Sequence, residues 1–321
     1  MLRLKFISPI MKKLLFVYNP HSGKCQILTH LAEIIDIFTK GGYEVTAHPT
    51  QARDDAMETV RRRAADFDLI VSSGGDGTTN ETIKGIMESG CNIPVGIIPA
   101  GTMNDFASSI GIPKYMPDAA RVIAGGTPRY VDIGAFNGRY FTYVAAFGVF
   151  TQVSYATDQQ LKNTWGALAY MTAAVREALQ KGELNQKYSI TIECNGQTIK
   201  DDFIFGMVSN SLSVGGIKGL AGNDVQMNDG IFEGIFIKKP SSLIELQQTL
   251  NALIKKEFDA PYFYYFKSSD YKFYTDGSVP WTLDGEYGGA EKDICVNVVH
   301  DALRIMVDGD KAAGLSNLKA E

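Results

Sequence analysis

Between residue 14 and about residue 131, short apolar runs alternate with longer amphipathic stretches, and small or turn-forming residues sit at the joints. Short apolar runs bounded by turn signals predict strands, and apolar positions recurring at three- and four-residue intervals predict helices. On that basis strands fall over 14–18, 44–48, 68–72 and 94–98, and helices over 27–39, 54–65 and 80–88. Leu69, Ile70 and Val71 are apolar without alternation, as in a strand buried on both faces. Alternation of strand and helix along the chain defines an α/β layer fold.

Beyond Asp132 the pattern changes. Runs rich in aromatic and β-branched residues, over 139–149, 188–194, 203–208, 231–237 and 262–274, predict a mostly antiparallel, sandwich-like half, interrupted by helices over 159–180 and 242–258. Two domains are therefore expected: a three-layer α/β domain over 12–131, with 301–321 open as a segment that rejoins it, and a β-rich domain over 132–300. A length of 321 residues with 45% hydrophobic content suits two cored domains. The net charge of -5 gives no global positive field, so nucleic acid is not an expected partner and any membrane contact must be local. Cys25, Cys91, Cys194 and Cys295 are scattered and form no CxxC pair, which argues against a disulfide framework and a zinc site. No apolar run reaches the roughly 20 residues that a membrane-spanning helix needs, and a cytoplasmic location is expected. Met11 opens MKKLLFVYNP and stands beside Met1 as an alternative start.

The densest chemical signal is Ser72-Ser73-Gly74-Gly75-Asp76-Gly77-Thr78-Thr79-Asn80-Glu81, between an apolar strand and a helix. Its glycines let backbone amides approach a polyanion, and the helix that follows begins with amides pointing the same way. Asp76 would repel a bare phosphate, so its presence calls for a bridging cation or an incoming hydroxyl. A tight turn with no ligand is the competing reading. Neither GxxxxGK[ST] nor GxGxxG is present. Asn19-Pro20-His21-Ser22-Gly23-Lys24 follows the first strand and Pro99-Ala100-Gly101-Thr102-Met103-Asn104-Asp105 follows the fourth. Turns at the carboxyl ends of parallel strands gather along one edge, so these three should converge. Asp105 either caps a short helix or joins Asp76 in organising magnesium through water.

Late in the chain, Trp281-Thr282-Leu283-Asp284-Gly285-Glu286 ends an apolar strand with a turn and a carboxylate. Phosphoryl transfer to an alcohol benefits from a carboxylate that orients the hydroxyl and accepts its proton, which makes Glu286 a candidate base. An ordinary hairpin turn is the alternative. His21, His30, His48 and His300 have no metal-ligand spacing and are expected at surface or loop positions.

Taken together, Asn19-Pro20-His21-Ser22-Gly23, Gly74-Gly75-Asp76-Gly77-Thr78, the turn from Pro99 to Asp105 and Asp284-Gly285-Glu286 resemble the diacylglycerol kinase catalytic family, and the soluble bacterial members most of all. The resemblance runs in the right order over nearly the whole chain from Met11. It implies an amino-terminal nucleotide-binding domain, a carboxyl-terminal domain that accommodates lipid, and an active site in the cleft between them. By matching positions, ATP would meet Asn19, Pro20, His21, Ser22, Gly23, Thr50, Gly75, Asp76, Gly77, Thr78, Thr79, Asn80, Glu81 and Thr102. Asp76 would help bind nucleotide and Mg2+, Asp105 and Asp132 would extend that acidic network, and Glu286 would be the catalytic base. A second, structural Mg2+ would take the carboxylate of Asp229 and the backbone carbonyls of Gln226 and Ile231. Asn228 departs from the family there, where a second acid is common, as does Gly222-Asn223, where proline-glutamate-like residues are usual.

The implied reaction is ATP-dependent phosphorylation of the hydroxyl of diacylglycerol or a related lipid, giving phosphatidic acid. The implied partner is a lipid substrate met transiently at the inner face of the membrane, and an isologous homodimer is the default assembly. Trp165, Leu168, Tyr170 and Met171 suit either an acyl pocket or a core. NAD kinase shares the GGDGT turn, so an NAD kinase-like phosphotransferase is one rival, and a catalytically idle lipid or nucleotide sensor is another. The PxGTxND turn and the late DGE favour the lipid kinase over the first, and the presence of both Asp76 and Glu286 favours it over the second.

Overall fold

The fold is given by a computed structural model, which describes residues 11–148, 187–214, 217–218, 221–222 and 224–309. Strand and helix alternate from the start as β1 (Lys12–Tyr18), α1 (Ile27–Lys40), β2 (Tyr43–Pro49), α2 (Asp55–Arg63), β3 (Leu69–Gly74), α3 (Asp76–Ser89) and β4 (Val95–Pro99). β1 pairs in parallel with β2 on one side and β3 on the other, and β3 pairs in parallel with β4. The resulting order β4-β3-β1-β2 changes direction between β1 and β3, which creates a topological switch point there. Right-handed crossovers put α1 on one face and α2 and α3 on the other. α1 packs with α5 (Met116–Gly125), and α2 packs with α3. With helices on both faces, Leu14, Leu15, Phe16, Val17, Ile70 and Val71 are wholly buried.

The described chain divides into two units. The first holds the chain up to Thr102, Ile112–Arg129 and the stretch from Arg304, and the second holds Met103–Gly111 and Tyr130–Leu303. In the first, the end of the last strand, β15 (Glu286–Val307), pairs in parallel with β4 through Ile305 and Val95.

The second unit is rich in strands: β5 (Thr127–Phe136), β6 (Arg139–Phe141), β7 (Val144–Gly148), β8 (Tyr188–Cys194), β9 (Gln197–Ser209), β10 (Ser213–Val214), β11 (Ile217–Lys218), β12 (Phe232–Lys238), β13 (Phe263–Ser268) and β14 (Asp270–Leu283), with most of β15. Its pairings are antiparallel, in the order β13-β12-β9-β7-β14-β15. Among the described residues, two helices interrupt it, α4 (Asp105–Ser109) and α6 (Leu243–Lys255). Trp281 centres its core, with ring centroids 4.8 Å from Phe147, 5.0 Å from Phe273 and 5.3 Å from Phe136. All four side chains are fully buried, each worth on the order of 2–3 kcal/mol of transfer free energy.

Three expectations from the sequence shift. The helix predicted over 80–88 begins at Asp76, because Gly75 takes the extended N-cap conformation and Thr79 closes the first turn on its carbonyl. The single aromatic run over 262–274 is two strands, β13 and β14, joined by a turn at Ser269 that apolar periodicity does not mark. His30 and His48 lie half-buried within α1 and β2 rather than at surface or loop positions. The helix predicted over 159–180, with Trp165, Leu168, Tyr170 and Met171, lies outside the described residues, as do residues 1–10 and Asn223.

Candidate active site

The turns after β1, β3 and β4 interlock through their own backbone. Asn19 donates its N–H to the Ser73 carbonyl at 2.8 Å, and its side-chain oxygen accepts the N–H of His21 at 2.9 Å. The Gly74 carbonyl accepts the N–H groups of Ala100 at 2.8 Å and Gly101 at 3.1 Å. The Ser22 hydroxyl accepts the N–H of Gly75 at 2.9 Å. A hydroxyl that accepts from an amide keeps its own proton to donate, which suits an anion beside Gly75. The three turns thus meet at the switch point of the parallel sheet, the crevice where ligands of open α/β folds bind.

Glycine is required where these turns touch. Gly23 has φ +56°, and a Cβ there would lie 2.4 Å from the Ala100 carbonyl oxygen. Gly23→Ala should therefore lower stability by about 1–3 kcal/mol, through left-handed backbone strain and displacement of the third turn. Denaturant unfolding checks this, and an unchanged midpoint would contradict the contact.

Helix α3 rises directly from the cradle. Its first-turn amides have no intrahelical acceptor, and Asp76 sits at the positive end of the helix. Gly77 is exposed, with open space where a Cβ would stand. Thr78, Thr79 and Asn80 are buried. The Glu81 carboxylate accepts the N–H of Ala56 at 3.2 Å, which fastens α3 to the start of α2. Thr50 donates its N–H to Tyr18 at 2.9 Å, and the loop after it is held by Asp55, which accepts the Gln51 N–H at 2.7 Å. Burial raises the Asp55 pKa, but hydrogen bonds from Gln51, His48 and Thr59 outweigh it and leave the carboxyl below its ordinary value. Thr102 is exposed, and Pro20 is half-buried.

In the second unit, Asp284 and Gly285 have φ +51° and +86° between the paired Leu283 and Glu286, as a two-residue hairpin turn with left-handed central residues requires. Glu286 is exposed at the start of β15. Asp284 is buried, and its carboxylate accepts the N–H groups of Thr142 at 2.6 Å, Tyr143 at 2.9 Å and Val144 at 3.1 Å. Reasoning from the sequence missed this second carboxylate of the DGE segment, because its partners lie far away in the chain.

The structure also gathers Asp132 with the 226–231 segment. Asp132 is wholly buried, and one oxygen accepts the Gly230 N–H at 2.7 Å. The other accepts the Asp301 N–H at 2.8 Å and lies 2.8 Å from His300 Nδ1. Asp229 accepts the Ile231 N–H at 3.0 Å. Desolvation, with a smaller contribution from the negative charge of Asp132, raises the Asp229 pKa. Gln226 is exposed beside it. A carboxylate whose pKa is raised by desolvation, and to a smaller degree by a negative neighbour, suits a hard cation, whose charge would offset both.

Glu233, another acid unforeseen from the sequence, lies buried in β12 with Lys267 Nζ at 3.4 Å, and its second oxygen has no partner among the described residues. An acid within the apolar run IFEGIFI was the available signal. Burial pushes its pKa up to about 7, against the lowering pull of Lys267. An unfolded glutamate titrates near pH 4.3, so between roughly pH 4 and 7 the folded chain holds a proton that the unfolded chain has released. That contribution to stability is full below the unfolded pKa and is lost as pH rises through the folded one. The difference in unfolding free energy between wild type and Glu233→Gln should accordingly shift by roughly 2–4 kcal/mol across this window in favour of the variant. Unfolding at pH 5 and pH 8 in chelator checks it, and a pH-independent difference would remove the raised titration.

A cradle of three glycine-bearing turns at the switch point of a parallel sheet, joined in one chain to a β-rich unit with buried aspartates, defines an α/β protein with a candidate anion site. Residues 13–136 match the family described as the diacylglycerol kinase catalytic domain. The diacylglycerol kinase of Bacillus subtilis (strain 168) is 32% identical over 311 residues, 96% of this chain and 100% of that protein. The diacylglycerol kinase of Staphylococcus carnosus (strain TM300) is 33% identical over 280 residues, 87% of this chain and 90% of its own. A crystal structure of a diacylglycerol kinase from Bacillus anthracis str. Sterne shares the fold with a TM-score of 0.74, over 94% of this chain and 98% of that one, at 21% identity. The chain belongs to the diacylglycerol kinase catalytic-domain family and is a kinase. Among the described residues, no helix is long and apolar enough to cross a membrane.

Proposed function

We propose that this kinase transfers the γ-phosphoryl group of ATP to the hydroxyl of diacylglycerol, giving phosphatidic acid. The observation that carries the nucleotide assignment is the Ser22 hydroxyl on the Gly75 amide, at the meeting of three glycine-bearing turns. The acceptor follows from the relatives, whose names specify diacylglycerol.

ATP with Mg2+ supplies a transferable phosphoryl group whose charge is partly neutralised. The Ser22 hydroxyl and the first-turn amides of α3 hold phosphate oxygens, Gly77 leaves room for them, and Gly23 lets the third turn close against the first. Asn19, Pro20, His21, Thr50 and Thr102 line the nucleotide, while Thr78, Thr79, Asn80 and Glu81 fix the rise of α3. Asp76 and Asp105 hold water around the nucleotide's cation. Glu286 orients the acceptor hydroxyl and takes its proton as the oxygen attacks. Asp229, with the carbonyls of Gln226 and Ile231, holds a structural Mg2+, and Asp132 positions that segment through Gly230. The enzyme works in the cytoplasm as a homodimer that meets lipid transiently at the inner face of the membrane.

ATP turnover in detergent micelles, with and without diacylglycerol, tests this directly. Turnover that requires the lipid supports the kinase, whereas nucleotide binding with no phosphorylated product would make the protein an idle sensor.

A further inference from the structure

We infer that Ser213 is a positioning residue for Asp105, holding its carboxylate through a circuit of buried hydroxyls. The assignment rests on the proposal that Asp105 serves the nucleotide's cation. Asp105 opens α4, a helix of only 5 residues, and its side chain is 2% exposed. So short a helix fixes its own side chains poorly, because few intrahelical bonds hold it. The Ser213 hydroxyl, itself 4% exposed, donates to Asp105 Oδ1 at 2.6 Å, a short bond of the charge-assisted kind.

Behind this bond the hydroxyls close a ring. The Ser211 hydroxyl donates to the Ser213 carbonyl at 2.6 Å and accepts the Ser213 N–H at 3.2 Å. The Ser109 hydroxyl donates to the Asp105 carbonyl at 2.8 Å and stands 2.8 Å from that of Ser211. Ser109 and Ser211 are fully buried. Apolar residues would fill the same volume without satisfying polar groups, and the ring uses every hydroxyl proton to fix Ser213 in front of Asp105. Met103–Gly111 belongs to the second unit although the chain up to Thr102 belongs to the first, and this ring ties α4 to the 211–213 segment within that second unit.

The test measures Mg2+-dependent ATP binding by calorimetry, kcat and KM for ATP, and thermal melting, for Ser213→Ala, Ser213→Thr, Asp105→Asn and the double variant Ser213→Ala/Asp105→Asn. Loss of one buried hydrogen bond to a charged group predicts a tenfold to hundredfold loss, about 10–100 times weaker Mg2+-dependent ATP binding in Ser213→Ala. Ser213→Thr, which keeps the hydroxyl, should recover most of it. The double variant should bind no more weakly than Asp105→Asn alone, since Ser213 acts only through that carboxylate. A folded Ser213→Ala with wild-type Mg2+ dependence, or losses that add in the double variant, would overturn the inference. Unchanged binding in Asp105→Asn would instead overturn the assignment of Asp105 to the nucleotide, and the role of Ser213 with it.

Discussion

Glu286→Gln should lower kcat by about two to four orders of magnitude while ATP binding survives. Glutamine keeps the shape and the hydrogen-bonding oxygen of glutamate but cannot take a proton at neutral pH, so the substitution isolates proton transfer from packing. The site tolerates it because Glu286 is exposed at the start of β15 and the hairpin before it is shaped by Asp284 and Gly285. Equal kcat in wild type and variant would take Glu286 out of the base role. A parallel loss of ATP affinity would show that its effect is on binding.

Asp284→Ala, two residues away, should behave in the opposite manner. Its carboxylate satisfies the N–H groups of Thr142, Tyr143 and Val144 in a buried site, and alanine would leave those donors without their acceptor. An unsatisfied buried donor loses about 1–3 kcal/mol, and water entering the gap recovers part of that, so a loss of about 3–5 kcal/mol is expected. Asp284→Asn keeps one acceptor oxygen and should fall between wild type and alanine. Chemical denaturation followed by tryptophan fluorescence reads this well, since Trp281 lies on β14, the strand that ends just before Asp284, and is fully buried. A loss below about 1 kcal/mol would mean that the three bonds contribute little net free energy. The two carboxylates of one DGE segment thus separate cleanly, one acting on turnover and the other on stability.

The difference between them also shows what a sequence reveals. The α/β half is legible because parallel strands under two helical layers become uniformly apolar, as Leu69, Ile70 and Val71 are, and helices carry a regular stripe. Convergence of the turns after β1, β3 and β4 follows from strand direction alone, and the bonds from Asn19 to Ser73 and from Ala100 to Gly74 realise it. The start of α3 escaped because Asp76, Gly77, Thr78 and Thr79 are small and polar and carry no apolar period. Asp284, Glu233 and Ser213 escaped for another reason. Each acts on partners distant in the chain, such as Thr142, Lys267 and Asp105, and nothing local marks which distant amide, ammonium or carboxylate will arrive. Motif residues that meet a ligand announce themselves by type and spacing, whereas residues that hold the motif in place emerge only from the folded chain.

The central claim, transfer of a phosphoryl group to a lipid hydroxyl, is tested most directly by following radiolabelled γ-phosphate from ATP into a panel of acceptors in mixed micelles: diacylglycerol, phosphatidylglycerol, sphingosine and NAD. Label confined to phosphatidic acid is the predicted result, and label in NADP, or in none of the acceptors, would contradict it.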